Sequence, residues 1–392
     1  MKKKANNLKS WSSDFFRKYD TVDISKIETF VTKKVSYKHG YSTIKPFLFL
    51  KLTTACGIQG WGEAFISNGN ELSINRMIHE DLVDKSTFEK INPMIFLDRL
   101  SNHDEDFYQM CASSAFEIAL WDILGKLNDK SIVSLIGGSS SKSKSVPIYA
   151  NTWSDINQSD KDLIDNAINQ IERNHDSIKI YPLQNRNISE ASAVIKNLRK
   201  ELGISVNIMI DLECPEDDQI PESLEKVILD SNPYWYEEPF DGKEIDKFLE
   251  FKKKSKLKIV TGEKQSEIHH FKSLCKRKAV DIINPDISSI GGIIRMLKIA
   301  DYANEEGILI SPHCWNSMTV SASVMMSICC LIENNEKAEI FPEYISLSNS
   351  FSSSSYEIVS NEAKIRDRPG LGVIIDENEL KKLSYVHQIT LV

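Results

Sequence analysis

Six polar residues in the second half of the chain have side chains that could together bind a metal ion and transfer a proton. Each lies at or near the end of a short apolar run, and successive members are separated by nearly equal stretches of chain. The six are Asp211, Glu237, Glu263, Asp286, His313 and Glu343. Each separation is about the length of one strand and one helix, so these residues would end successive strands of a repeated unit.

The first three of these residues are carboxylates on consecutive predicted strands. Three carboxylates that converge without a cation repel one another and take up protons. A hard divalent cation removes that repulsion, and oxygen ligands without a nearby cysteine or histidine favour Mg²⁺ over Zn²⁺. A single carboxylate at a strand end is more often a cap for the following helix, but Asp211, Glu237 and Glu263 together predict a Mg²⁺ site.

Two further members of the set, Asp286 and His313, end adjacent predicted strands in NPDISSIGG and SPHCWNS. A carboxylate beside an imidazole fixes the ring tautomer and makes the ring a stronger base. A lone histidine at a strand end is more often structural. The pairing with Asp286, close to a metal site, predicts instead that His313 is a general base or acid.

The elements that would position these residues are eight short apolar runs that alternate with amphipathic, charge-rich segments. The runs are VPIYAN, SIKIYP, VNIMIDL, PYWYEEP, KIVTGE, VDIINPD, GILISPH and AEIFPEY. Strand–helix alternation of this kind predicts an α/β fold with a parallel sheet, and eight units predict a closed barrel over residues 141–345. The strand ends of such a barrel meet on one face, where barrel enzymes hold their active sites.

The chain ahead of the barrel, residues 1–140, has a different pattern and predicts a separate α+β unit. Residues 23–35 and 47–53 are β-rich, and residues 111–127 have helical periodicity. Residues 1–22 read as an extension ahead of this unit. The polar run SSSKSKS, residues 139–145, marks the boundary with the barrel.

The composition of the chain excludes several classes of function. The net charge of -8 argues against nucleic acid as a partner. No apolar run approaches the roughly 20 residues that a membrane span requires. The seven cysteines are scattered without a paired spacing, and no secretory signal is visible, so we expect reduced thiols in a cytoplasmic protein.

Several ordered motifs resemble those of the enolase superfamily, and within it the mandelate racemase-like group. They are GWGEA at 60–64, AFEIALWDILGK at 115–126, then EEP, TGE, NPDISSIGG and PHCW, and finally PGLGV at 369–373. The resemblance implies a (β/α)7β TIM-like barrel, with an α+β capping domain built from the N-terminal part and the C-terminal tail, residues 346–392. It also implies a homo-oligomer, either a dimer or an octamer.

The resemblance implies roles for individual residues. Asp211, Glu237 and Glu263 would be the Mg²⁺ ligands, His313 and Asp286 the catalytic dyad, and Glu343 the strand-eight acid that binds a substrate carboxylate or an enediolate oxygen. The group often has K-x-K on the second barrel strand. In this chain Lys179 matches the first lysine, and Tyr181 stands at the position of the second. That replacement disfavours two-base racemisation, although Tyr181 could still act as an acid or base if Lys179 and the metal lower its pKa.

Two more departures bear on function. The third strand continues as DLE, which places Glu213 where an asparagine is common, and Asp286 stands where the muconate-lactonizing subgroup has a lysine. We therefore expect Mg²⁺-dependent dehydration of a sugar acid to a 2-keto-3-deoxy acid. The alternatives are a racemase or epimerase of a hydroxy acid or amino-acid derivative, and a catalytically silent binding protein on this fold.

The substrate expected from the resemblance is a small carboxylate, with a sugar acid favoured. Candidate binding residues lie at the predicted barrel mouth and in the cap loops. They are Tyr149, Asn151, Glu213, Trp315 and His39.

Overall fold

The N-terminal part of the chain forms the predicted α+β unit. The computed structural model describes residues 13–36, 43–67, 69–82, 88–100, 106–137, 145–153, 159–215, 220–315 and 318–392. The strands of this unit are β1 (Ile24–Thr32), β2 (Val35–Ser36), β3 (Thr43–Ile44), β4 (Leu48–Thr54) and β5 (Gln59–Ala64). The helices are α1 (Ser13–Arg17), α2 (Glu71–Arg76), which continues as a π-helical segment (Met77–Asp81), α3 (Pro93–Leu100), α4 (Phe107–Leu127) and α5 (Ile132–Gly137).

Strand β5 contains the GWGEA motif, and its glycines explain part of that sequence. β1, β4 and β5 pair antiparallel, and helix α4 packs directly against β5. A Cβ atom at Gly60 would lie 2.2 Å from the carbonyl oxygen of Ala119, and one at Gly62 would lie 1.9 Å from that of Ala115. Only glycine allows the strand and helix to approach so closely.

The eight apolar runs of the sequence form eight strands, as predicted. They are β6 (Ser145–Asn151), β7 (Ser177–Ile180), β8 (Asn207–Asp211), β9 (Trp235–Glu237), β10 (Ile259–Thr261), β11 (Ile282–Ile283), β12 (Leu309–Ile310) and β13 (Ala338–Ile340). The sequential neighbours from β6 to β12 pair in parallel, and β13 pairs in parallel with β6. Ile310 of β12 bridges to Asn335, just before β13, and this contact closes the barrel.

Within the described residues, one helix lies between each pair of consecutive barrel strands. The helices are α6 (Asp160–Glu172), α7 (Ile188–Leu202), α8 (Glu222–Asp230), α9 (Ile245–Lys254), α10 (Ile268–Lys276), α11 (Ile293–Glu305) and α12 (Thr319–Cys329). Ser159 and Asn187 begin α6 and α7 with capping boxes completed by Asp162 and Glu190. The (β/α)7β barrel is therefore confirmed.

The chain after the barrel returns to the cap. Its elements are α13 (Pro342–Ser348), β14 (Ser352–Ser353), β15 (Tyr356–Val359), β16 (Glu362–Ile365), β17 (Ile374–Ile375), α14 (Glu377–Leu383) and β18 (Ser384–Leu391). Strand β18 pairs antiparallel with β1, so the cap sheet has the order β18-β1-β4-β5. The capping domain thus combines both ends of the chain, as the resemblance implied.

The described part of the N-terminal extension packs on the cap. Phe16 in α1 is buried, and its ring meets that of Trp121 edge to face at 6.0 Å. The boundary expected at residues 139–145 lies mostly outside the described residues, and the exact domain limits stay a prediction. No helix in the described ranges combines the length and apolar character needed to span a membrane.

Candidate active site

The carboxylates of Asp211, Glu237 and Glu263 converge at the carboxyl ends of β8, β9 and β10. One ligand oxygen from each lies within 4.8 Å of the others. The register of the parallel strands places Asp211 beside Glu237, which explains why the sequence spacing brings them together. We refer to these three residues as the acidic trio. The donor set contains oxygen alone, which suits a hard divalent cation.

The lysine of the second barrel strand, Lys179, partly neutralises the trio. Its Nζ lies 2.8 Å from Glu237 Oε1, 3.3 Å from Asp211 Oδ2 and 2.9 Å from Oε1 of a fourth carboxylate, Glu339. Burial lowers the pKa of Lys179, but Glu237 and Glu339 outweigh this effect and raise it well above the usual value. Lys179 is therefore a fixed ammonium with its three N–H donors directed at three carboxylates.

One lysine does not balance the negative charge of this region. Burial raises the pKa values of Asp211, Glu237 and Glu263, and repulsion from neighbouring carboxylates adds to the shift in each of them. Three largely buried carboxylates held with raised pKa values would gain most from a further cation. The residues present therefore fit the divalent cation that the sequence predicts.

His313 and Asp286 form the predicted pair, and the imidazole faces the trio. Nδ1 of His313 lies 2.9 Å from Oδ2 of Asp286, while Nε2 lies 3.4 Å from Oε2 of Glu263. Asp286 is itself held by the backbone N–H and the hydroxyl of Ser288. Burial lowers the pKa of His313, but Glu263, Glu339 and Asp286 outweigh it and raise the pKa to about 10.

The acid on the last barrel strand is Glu339, and the expectation that Glu343 ends this strand is wrong. Pro342 occupies the first turn of α13, so the strand ends at Ile340 and Glu343 lies in the helix. Glu339 accepts hydrogen bonds from Asn151 Nδ2 at 2.6 Å and from the backbone N–H of Cys314 at 2.7 Å. Burial raises the pKa of Glu339, but Lys179 and His313 outweigh this and lower it to about 2.

The phenol of Tyr181 has a pKa raised by burial, whereas the predicted acid–base role calls for a lowered one. Tyr181 is buried, and burial raises its pKa well above the usual value despite the opposing effect of Lys179. Its hydroxyl accepts a hydrogen bond from Asn151 Nδ2 at 2.7 Å. Tyr181 is thus a neutral phenol next to the site, and Asn151 links it to Glu339.

The predicted binding residues Glu213 and Trp315 lie at the barrel mouth, whereas Tyr149 lies below it. Glu213 accepts a hydrogen bond from the indole of Trp153 at 3.2 Å, and burial and Asp211 raise its pKa to about 7. Trp315 meets Trp153 edge to face at 5.3 Å. Tyr149 packs inside the barrel against Trp235 with a ring distance of 5.1 Å. His39 lies outside the described residues.

Asn284, which was not among the residues predicted from the sequence, connects two members of the trio. Its Nδ2 donates to Glu237 Oε1 at 2.9 Å and to Glu263 Oε2 at 3.4 Å. The residue lies just before Asp286, at the end of β11. A polar residue at a barrel strand end was the signal that could have identified it.

The cap reaches the barrel through two buried glutamates. Glu63 of the GWGEA motif accepts hydrogen bonds from the backbone N–H groups of Met318 and Ser321, at the start of α12. Glu117 accepts from those of Ile293 and Ile294, at the start of α11. Both interactions place a carboxylate at a helix N-terminus, where the dipole favours negative charge.

A capped parallel barrel whose mouth holds an acidic trio and a His–Asp pair has the architecture of an enolase-type protein. Two family models match the chain: "Mandelate racemase / muconate lactonizing enzyme, N-terminal domain" over residues 26–137 and "Enolase C-terminal domain-like" over residues 162–379. The chain therefore belongs to the enolase superfamily, in its mandelate racemase-type group.

Individual relatives agree with this assignment. The chain is 25% identical to a D-gluconate/D-galactonate dehydratase of Picrophilus torridus over 86% of this chain and 88% of that protein. It is 24% identical to a D-galactonate dehydratase of Variovorax paradoxus over 88% of this chain and 93% of that protein. The crystal structure of an enolase from Sargasso Sea environmental sequencing is 38% identical, with a TM-score of 0.89 over 94% of this chain and 98% of that chain.

Proposed function

We propose that this protein is a Mg²⁺-dependent dehydratase that converts a sugar acid to a 2-keto-3-deoxy acid. The observation that carries the proposal is the difference between the two groups that flank Glu339. Near one oxygen of Glu339 lies a base, His313 with Asp286, whereas the other oxygen contacts Lys179, which is held by three carboxylates beside the neutral phenol of Tyr181. The relatives named as dehydratases support the choice of reaction.

Asp211, Glu237 and Glu263 would hold the metal. A bound Mg²⁺ would supply electrostatic stabilisation of the negative charge that develops on the substrate carboxylate when its α-proton leaves. Asn284 and Lys179 would orient the carboxylates that they contact, in the manner of outer partners that fix metal ligands.

His313 would carry out both proton transfers, the removal of the α-proton and the protonation of the leaving hydroxyl. A cation held by the trio would offset the carboxylates that raise the pKa of His313, so that in the reactive form Nδ1 carries a proton toward Asp286 and Nε2 presents its lone pair toward the trio. Nε2 removes the α-proton, and the electrons of the C–H bond pass to the enediolate. Those electrons then form the C2–C3 double bond as the β-hydroxyl leaves, and the imidazolium donates its proton to that hydroxyl to give water. The resulting enol becomes the 2-keto acid.

Racemisation requires a base on each face of the substrate, and this site is poorly equipped for it. Lys179 could act as a base only after losing a proton that three carboxylates stabilise. Tyr181 could act as one only after ionising in a buried position. Both steps are costly near neutral pH, so the one-base elimination is the better match.

The test measures product formation and proton exchange separately. A panel of sugar acids with Mg²⁺ should yield a 2-keto acid from at least one member. In ²H₂O, His313→Asn should abolish exchange of the α-proton, whereas Tyr181→Phe should retain it. Loss of exchange for one substrate epimer alone in Tyr181→Phe would instead establish an epimerase.

A further inference from the structure

The cap contributes a buried lysine, Lys45, to the region next to the barrel mouth. Its side chain is 1% exposed, and its Nζ donates to the backbone carbonyl of Ile66 at 2.7 Å. The ammonium also lies 4.6 Å from the ring of Phe47 and 4.7 Å from the ring of Trp315. An ammonium has three donors, and within the described residues one of them has a hydrogen-bond acceptor.

The other buried lysines of the cap and the site are neutralised by carboxylates. Lys179 contacts three of them, and Lys51 contacts Glu28 at 2.9 Å and Glu377 at 2.8 Å. Lys45 forms no ion pair in the described part of the chain. Buried charges without a partner are costly, so an unpaired ammonium indicates a place for an anion that arrives from outside.

The two carboxylates that act most strongly on Lys45 are occupied by other donors. Burial lowers the pKa of Lys45 to about 7, while Glu63 and Asp286 act in the opposite direction. Glu63 accepts from backbone N–H groups of α12. Asp286 accepts from Ser288 and contacts His313. Lys45 is thus within electrostatic reach of the dyad but is not neutralised by it.

A second donor without an acceptor lies beside Lys45. The indole Nε1 of Trp315 is buried and has no hydrogen-bond partner among the described residues. Trp315 packs against Trp153, whose indole donates to Glu213, just beyond the metal-ligand candidate Asp211 in the chain. Aromatic contacts therefore connect Lys45 to the rim of the trio.

We propose that Lys45 and the Trp315 indole form a subsite for a second carboxylate, at the end of the substrate remote from the metal. The substrate would then be a sugar diacid. This inference rests on the proposed function, because it assumes that the first carboxylate is the one placed at the acidic trio. The two dehydratase relatives are named for monoacids, so a diacid preference would distinguish this chain from them.

The test compares acids that differ only at the remote carbon. D-glucarate is paired with D-gluconate, and galactarate with D-galactonate, each with Mg²⁺ present. We expect the wild type to show a kcat/KM at least tenfold higher for one of the diacids. Lys45→Met should lower kcat/KM for that diacid on the order of 10²-fold, the size of effect seen when one partner of a buried charge pair is removed. The matching monoacid should change less than threefold.

Two further variants separate charge from structure. Lys45→Gln keeps a donor for the Ile66 carbonyl but no charge, and it should lose the diacid preference as Lys45→Met does. Lys51→Met removes another buried cap lysine and should leave the ratio of diacid to monoacid unchanged. If Lys45→Gln kept the wild-type ratio of diacid to monoacid kcat/KM, whether or not both values fell, Lys45 would only support the cap and the subsite would be overturned.

A binding measurement separates this inference from the proposed reaction. His313→Asn should bind substrate without turning it over, so calorimetry with each acid reports affinity alone. If the diacid binds His313→Asn and adding Lys45→Met weakens that binding, the subsite stands even if no acid is dehydrated. If acids are dehydrated but Lys45→Met does not affect diacid affinity or turnover, the dehydratase stands and the subsite is wrong.

Discussion

The protein buries two sets of carboxylates, and they are satisfied in different ways. At the contact between cap and barrel, Glu63 and Glu117 each accept hydrogen bonds from two backbone N–H groups at the start of a barrel helix. At the barrel mouth, the acidic trio has Lys179 as its main partner, and that lysine also serves Glu339. The first set is supplied with donors by the fold itself, whereas the second set has a surplus of negative charge.

This difference separates a structural carboxylate from a ligand-binding one. A buried carboxylate with fixed N–H donors lowers the energy of one domain arrangement and needs nothing else. Carboxylates that converge with too few donors repel one another and are ready for a cation. Burial alone does not distinguish them, because Glu117 and Glu237 are both fully buried.

The largest expected effect is a loss of Mg²⁺ affinity and activity when Glu237 is changed, which should not occur when Glu117 is changed. Chelation should abolish activity and Mg²⁺ should restore it. Glu237→Gln should lose most of its Mg²⁺ affinity, and its activity should fall on the order of 10³-fold or more. Glu117→Gln should retain the Mg²⁺ affinity of the wild type, measured by calorimetry. Full activity with excess chelator would show that the trio is a second structural cluster.

A smaller loss is expected when the dyad is changed but the trio is kept. Asp286→Asn removes the negative partner of His313, so the imidazole becomes a weaker base and is held less firmly. We expect kcat/KM to fall by about 10²- to 10⁴-fold, the range of general acid–base catalysis, with little change in Mg²⁺ affinity. The measurement is a pH–rate profile alongside a metal titration. A pH–rate profile of Asp286→Asn that matches the wild type would make Asp286 a strand-end cap.

A change at the contact between cap and barrel should lower the stability of the protein and should not alter its chemistry. Glu117→Ala leaves the N–H groups of Ile293 and Ile294 and the indole of Trp121 without their acceptor. Each unsatisfied buried donor costs about 1–3 kcal/mol, so we expect the free energy of unfolding to fall by about 3 kcal/mol or more. Urea unfolding measures this. If the urea midpoint of Glu117→Ala equalled that of the wild type, water would have replaced the carboxylate as the acceptor.

The smallest expected effect is a dependence of stability on pH, which Glu117 shares with the trio. Burial raises the pKa of Glu117 to about 7, although its N–H partners oppose the shift. A carboxyl group with a raised folded-state pKa contributes stability below its unfolded value of about 4.5, and that contribution is lost as the pH rises toward 7. The wild type should therefore lose more stability than Glu117→Gln between pH 4.5 and 7, by about 1–3 kcal/mol.

Metal should cancel the pH dependence of one set only. Mg²⁺ keeps the trio ionised and bound, so the loss of stability that arises from Asp211, Glu237 and Glu263 should disappear when it is added. The difference between wild type and Glu117→Gln should persist with Mg²⁺. Thermal unfolding across this pH range, with and without Mg²⁺, measures both. A difference that vanished with Mg²⁺ would mean that Glu117 belongs to the metal-linked set.

The barrel and the trio could be predicted because both follow from periodicity along the chain. A strand of apolar residues followed by a carboxylate, repeated at one strand–helix interval, determines which residues meet at the barrel mouth. The same periodicity found Asp286 and His313. It failed at Glu339, because that acid lies within its strand and the proline at the start of α13 places Glu343 in a helix.

Features that depend on burial or on contacts between domains could not be predicted. The pKa of Tyr181 is raised, not lowered, because burial outweighs Lys179, and burial is a tertiary property. Lys45 was not predicted as a binding residue, because its ammonium contacts the ring of Phe47 in the cap and the ring of Trp315 in the barrel. Trp315 lies far along the chain from this lysine, so no local pattern marks it.

The pairing of β18 with β1 has a consequence for synthesis of the protein. The two strands are neighbours in one sheet, yet Leu391 leaves the ribosome almost a full chain length after Ile24. At roughly 5–20 residues per second, β1 waits roughly 20–70 s for its partner. Until then it presents an unpaired edge, which is a template for misassociation between nascent chains. We therefore expect chaperones to matter most during this interval, before β18 has been synthesised.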